Sequence, residues 1–149
     1  MNDTAPARKT YQRFRLRLGW AILIIGSLLI IIGVNPAALG LDRSSVTGFV
    51  QISVYVTGLA LLCSGGYLVL NVLWNGNEKS IIADIGIRLV ATGFVIATVA
   101  GLADIFGFGS HIFPMIPSFG PLQSIGVMIG EAVIALGFIL FIPNPRKKI

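Results

Sequence analysis

The sequence predicts an all-α integral membrane protein, a bundle of four transmembrane helices with both termini on the cytoplasmic side. Three observations predict it. Of 149 residues, 55% are hydrophobic and only 11% charged, against roughly 25% charged in an ordinary soluble domain. Uncharged stretches follow one another: Arg17 to Asp42, Arg43 to Glu78, Arg88 to Asp104, Asp104 to Glu131 and Glu131 to Arg146. The basic residues gather at the two ends of the chain. A membrane-crossing helix needs about 20 mostly apolar residues, because the hydrocarbon core is roughly 30 Å thick at about 1.5 Å rise per residue.

The chain divides into a basic cytoplasmic arm (1–17), a single transmembrane domain (18–142) and a basic cytoplasmic tail (143–149). The arm carries Arg8, Lys9, Arg13, Arg15 and Arg17. Together with the tail's Arg146, Lys147 and Lys148, it fixes the orientation by the rule that cytoplasmic segments hold the lysines and arginines. An even number of spans returns the chain to its starting side, so both arguments place the N- and C-termini inside, in a bacterial cytoplasmic membrane. The arm also suits anionic lipid headgroups, each cation near the surface being worth about 1 kcal/mol. The net charge of +5 follows from this topology and does not point to nucleic acid.

The first span is placed at 18–34. Asn35-Pro36 closes it, since proline lacks the donor that a continuing helix needs. Its basic flank is that of a signal peptide, but its apolar run is too long and Pro36-Ala37-Ala38-Leu39-Gly40 is a poor cleavage site, so it is read as an uncleaved span. The second span, 46–74, ends at the turn Asn75-Gly76-Asn77. The third, 81–106, ends in Gly107-Phe108-Gly109. The fourth, 122–142, starts behind Pro121, a position that tolerates proline, and stops at Pro143. Trp20 and Trp74 then fall at the same inner interface.

The eighteen glycines form a pattern. Each span holds two of them seven residues apart: Gly19 and Gly26, Gly58 and Gly65, Gly86 and Gly93, Gly130 and Gly137. Gly33 extends the first set and Gly126 the last. Seven residues are close to two turns, so each set lies along one face. Small residues there let helices associate closely in lipid. The alternating depth of the pattern suggests a tandem duplicated helical hairpin, spans one-two and three-four. The seams also offer a route to a protein partner or to self-association. So does the 108–120 loop, which carries several phenylalanines and no fixed charge.

Ionisable side chains within spans are expensive and mark the place to look for function. Asp84, Arg88 and Glu131 form the candidate intramembrane polar network. Arg88 is expected to bridge Asp84 within its helix and Glu131 on the neighbouring one. The third helix, with polar and glycine faces nearly opposite, is expected to be the most buried. Asp104 is placed on the glycine face of the third helix near its outer end, with Arg43 and His111 as candidate partners. A single histidine and a single cysteine, Cys63, give no bis-histidine haem site, disulfide or Cys-x-x-Cys pair. No phosphate loop, zinc-protease helix or nucleophile–base set occurs, so no catalytic residue, metal or cofactor is expected. The leading expectation is a non-catalytic accessory or scaffold subunit of a larger membrane complex or homo-oligomer. The alternative is a small oligomeric transporter or channel using Asp84, Arg88 and Glu131 as a polar relay.

Overall fold

A computed structural model describes residues 4–35, 40, 48–109 and 120–143. The described residues are all-helical: α1 (Thr4–Val34), α2 (Phe49–Leu73), α3 (Ile81–Gly101) and α4 (Pro121–Phe141). All four contain a stretch long and apolar enough to cross a membrane.

Local chemistry sets their ends. The basic arm and first span form one continuous helix of 31 residues, about 46 Å long. No glycine or proline between Ala7 and Leu18 interrupts it. At the other end of α2, Asn75 (φ 50°) and Gly76 (φ 80°) adopt the left-handed conformation, which asparagine and glycine tolerate best. The Asn77 amide closes this turn on the Trp74 carbonyl at 2.8 Å. Ser80 then caps α3, its hydroxyl accepting from the Ala83 amide at 3.2 Å. Pro121 opens α4, and the Gln123 side chain accepts from the Gly120 amide at 2.8 Å, satisfying a donor that the helix leaves unpaired.

The third helix is shorter than its apolar stretch. It ends at Gly101, and residues 102–107 form turns in which Gly107 takes φ 78°. The amides of Phe108 and Gly109 both reach back to the Ala103 carbonyl, at 2.9 and 3.0 Å. Asp104 therefore lies in this turn and not on the glycine face of a continuing helix.

The helices pack as two antiparallel hairpins, α1 with α2 and α3 with α4, which meet mainly through α2. Within each hairpin the backbones nearly touch. A methyl group at Gly26 would lie 2.6 Å from the Leu62 nitrogen and 2.8 Å from the Gly58 carbonyl oxygen. One at Gly65 would lie 3.0 Å from the Gly19 carbonyl, and one at Gly33 2.8 Å from the Tyr55 backbone. In the second hairpin, Gly86 faces the Gly137 carbonyl and Gly93 the Gly130 carbonyl, each at 2.6 Å from the missing Cβ. Gly126 sits against Ala100.

Between the hairpins the contact is made by side chains. Tyr55 and Leu59 of α2 pack with Val90 and Ala97 of α3 and Val127 and Ile134 of α4. Where α1 starts and α4 ends (the terminal end), Trp74 stacks on Phe141 and donates from its indole N–H to the Phe141 carbonyl at 3.0 Å. Trp74 is thus a buried clamp, whereas Trp20 is exposed. The third helix is not the most buried: α2, α3 and α4 each bury 28% of their most apolar window and α1 17%. The face of α3 that carries Asp84 and Arg88 is turned outward.

These approaches make opposite predictions for two glycines of one helix. Gly93→Ala pushes a methyl into the Gly130 backbone, which cannot swing aside. It should lower stability in detergent by about 1–3 kcal/mol, the usual range for overpacking. At Gly101 the nearest atom lies 3.8 Å from the missing Cβ, so Gly101→Ala should be neutral or slightly stabilising. Thermal melts of the two variants check this, and equal losses would refute the distinction.

Candidate functional site

Polar chemistry inside the spans centres on Tyr55 and Glu131. The helices α2 and α4 run in the same direction, both starting at the end opposite the termini (the loop end). Tyr55 lies about 9 Å and Glu131 about 15 Å along the respective helices at 1.5 Å per residue, and the tyrosine side chain covers the difference. Its hydroxyl donates to Glu131 Oε1 at 2.5 Å. Tyr55 itself is buried, 5% exposed, against the close approach of Gly33. Glu131 stands on the exposed side of α4. A buried ring thus fixes a hydroxyl that supplies the carboxylate with a donor which lipid would not.

The pair borders a cleft of about 320 Å³ between the first hairpin and α4. Gln51 and Ser124 contribute its other polar groups, and Ile52 and Met128 part of its apolar wall. Ser124 donates its hydroxyl to the Gly120 carbonyl at 3.1 Å. The cleft combines one acid, one phenol, one carboxamide and one hydroxyl, a set able to hold a small polar or cationic group.

Arg88 does not take part. Its guanidinium binds Asp84 Oδ2 through Nη2 at 3.0 Å and Nε at 3.1 Å. The two side chains are 78% and 57% exposed. The expected Arg88–Glu131 bridge is not formed, and the reason is rotational. Gly86 and Gly93 hold α3 against α4, and Arg88 stands about 200° round from Gly86 at 100° per residue. Glu131, about 100° from Gly130 on α4, turns instead toward α2. The structure brings Asp84 and Arg88 together and leaves Glu131 on another face.

Asp104 is 3% exposed and packs its carboxylate against Gly109, where a Cβ would overlap it. Its candidate partners Arg43 and His111 lie outside the described residues. Among the described residues, no group of three or more His, Cys, Asp or Glu is placed to hold a metal ion. Cys63 is a free thiol, half-buried on α2. No known protein family, curated protein or solved structure matches this chain.

Tyr55 is the residue that sequence reasoning missed. The signal was present: matching depths across all four helices leaves Tyr55 as the one tyrosine within reach of the level of Glu131.

Two double-mutant comparisons test the assignment. Tyr55→Phe and Glu131→Gln should be coupled, the pair losing about 0.5–1.5 kcal/mol less than the sum of the single losses, as for hydrogen bonds between membrane helices. Arg88→Leu and Glu131→Leu should be additive, because they share no contact. Detergent melts that reverse this order would return the bridge to Arg88.

Proposed function

We propose that the chain is a non-catalytic integral membrane subunit, an accessory or scaffold element of a larger membrane complex or homo-oligomer. One observation carries the reading. Asp84, Arg88 and Glu131 all stand on exposed faces of the helices. Ionisable groups in membrane spans face a bundle interior or a water-filled cavity almost without exception. Glu131 is held by Tyr55 at the cleft between the hairpins, but Asp84 and Arg88 face outward, and the interior we assign to that pair is one formed with another chain. Asp84 lies in the first turn of α3 and Arg88 about 10 Å along it, so the proposed partner contact is placed toward the terminal end of the bundle.

The proposed setting is a bacterial cytoplasmic membrane with both termini inside. The basic arm and tail support that orientation. α1 starts and α4 ends at one end of the bundle, with Gln12 on α1 bonded to Asn75 in the α2–α3 turn at 2.7 Å. We further propose that the two hairpins arose by tandem duplication. Gly19, Gly26, Gly58 and Gly65 are matched by Gly86, Gly93, Gly130 and Gly137, with the same pairing across each hairpin. Gly48 and Gln51 at the start of α2 are likewise matched by Gly120 and Gln123 at the start of α4.

The seam glycines are occupied within each hairpin, so the partner surface is assigned to the outward faces of α3 and α4, with the 108–120 loop as a further contact. A second reading, a small oligomeric transporter or channel, draws on the Tyr55–Glu131 cleft. Its polar centre would be that pair, and a second chain would have to close the open side between α1 and α4.

Mild-detergent or nanodisc isolation followed by native mass spectrometry tests the leading reading. The expected result is a particle larger than one chain. Replacing Asp84 and Arg88 together with leucine should leave the melting temperature of the single chain nearly unchanged, since an exposed i, i+4 pair contributes about 0.3–0.5 kcal/mol, while sharply reducing the assembled fraction. A strictly monomeric wild-type particle would refute it. Reconstituted vesicles with solute or proton flux abolished by Glu131→Gln would instead establish the transporter.

A further inference from the structure

We infer that the chain carries a binding site for one anionic phospholipid of the inner leaflet, running along α2 from mid-span to the terminal end. Ala60, Cys63, Ser64, Tyr67 and Asn71 recur at helical spacing and form one continuous face of α2, and Asn75 follows in the turn beyond its end. The deeper part of that face borders an apolar groove of about 480 Å³, closed by Val90 and Phe94 of α3 and Phe138 and Phe141 of α4. The part nearer the end of the helix borders a separate polar recess of about 240 Å³. Gln12 and Arg15 of α1, Asn71, Asn75, Asn77 and Lys79 supply its polar groups.

Lys79 joins the two. It lines the polar recess, and its ammonium lies 5.3 Å from the Tyr67 ring centre and 5.5 Å from that of Phe141, both walls of the groove. Cation–aromatic attraction holds it at the junction of oily and wet surface. Arg15 is steadied over the Tyr11 ring at 5.7 Å. The Gln12–Asn75 bond at 2.7 Å ties α1 to the turn, so the recess is built before anything enters it.

The recess contains two cations, four carboxamides and no carboxylate among its lining residues. That is the complement of a phosphodiester, which accepts hydrogen bonds and carries negative charge. The groove offers almost nothing polar and suits an acyl chain. A soluble phosphate compound would leave the groove empty, and a zwitterionic lipid, though it carries the same phosphodiester, would bring a cation of its own beside Arg15 and Lys79. The order apolar groove, cation, amide-lined recess follows the order tail, phosphate, headgroup, and cationic recesses at the cytoplasmic side are where anionic headgroups bind. This inference rests on the proposed membrane orientation but not on the subunit role.

The test is native mass spectrometry of the full chain from nanodiscs containing equal amounts of phosphatidylglycerol and phosphatidylcholine with identical acyl chains. Wild type should retain phosphatidylglycerol at least fivefold over phosphatidylcholine, one molecule per chain. Arg15→Gln with Lys79→Gln should abolish the preference, whereas Arg13→Gln with Arg17→Gln, removing the same charge from the same arm outside the recess, should keep it. Cys63→Phe, which fills the groove, should reduce retention without touching a charge. Equal retention of the two lipids, or equal effects of the two charge pairs, would overturn the site in favour of diffuse attraction to the arm. Retention of glycerol phosphate alone, to the extent seen for the lipid, would also overturn it. Alkaline extraction separates the two failures: a chain released from vesicles by alkali refutes the membrane placement itself, and an inserted chain without lipid preference refutes only this site.

Discussion

Backbone approach at paired glycines is the constraint from which the rest of the arrangement follows. Gly26 against Gly58 and Gly93 against Gly130 bring main chain to main chain, with no room for a single methyl between them. Once those pairs are in register, each hairpin has a fixed rotation of its two helices. Every other side chain is then assigned to a seam, to the joint between hairpins, or to the outside. In lipid, with no hydrophobic driving force between helices, such close packing is what holds two helices together. It also leaves no tolerance for a one-residue rotation, because a turn of about 100° would carry a neighbour such as Ile25, Leu59 or Phe94 into the backbone opposite.

The polar residues show the consequence. Arg88 lies on the far side of α3 from its own seam, so it cannot reach across to α4 and settles on Asp84 one turn away. Glu131 is offset from Gly130 by a single residue, enough to turn it toward α2, where the Tyr55 hydroxyl is waiting at a compatible depth. Tyr55 in turn is held by the seam of the first hairpin, its backbone pressed against Gly33. The Tyr55–Glu131 bond therefore couples the two seams: each hairpin presents one partner at an angle that its glycines dictate.

The helices themselves were legible in the sequence because length and apolarity determine them. Proline at 36, 121 and 143 and the turn Asn75-Gly76-Asn77 mark the ends through backbone chemistry that needs no tertiary information. The end of α3 was not legible: the apolar run continues to Phe106, but the helix stops at Gly101 and folds back so that Asp104 is buried against Gly109. Hydropathy measures affinity for lipid and is silent on where the backbone turns. The Arg88–Glu131 bridge failed for a related reason. Similar depth makes Arg88 and Glu131 candidate partners, but the offset of about 200° between Arg88 and Gly86 turns Arg88 away from α4. A distance along the helix axis admits many partners, and adding the angle around it admits few.

The joint between the hairpins is made differently from the seams within them. The two seams are backbone-tight, but α1 leans on α2 with little else beside it, and the hairpins touch through aromatic and branched side chains around Tyr55, Phe138 and Phe141. Clefts remain on either side of α2, one lined by Glu131 and one by Cys63. Here the rigid units are hairpins, their charged residues point away from the seams, and α2 is the axis on which they meet.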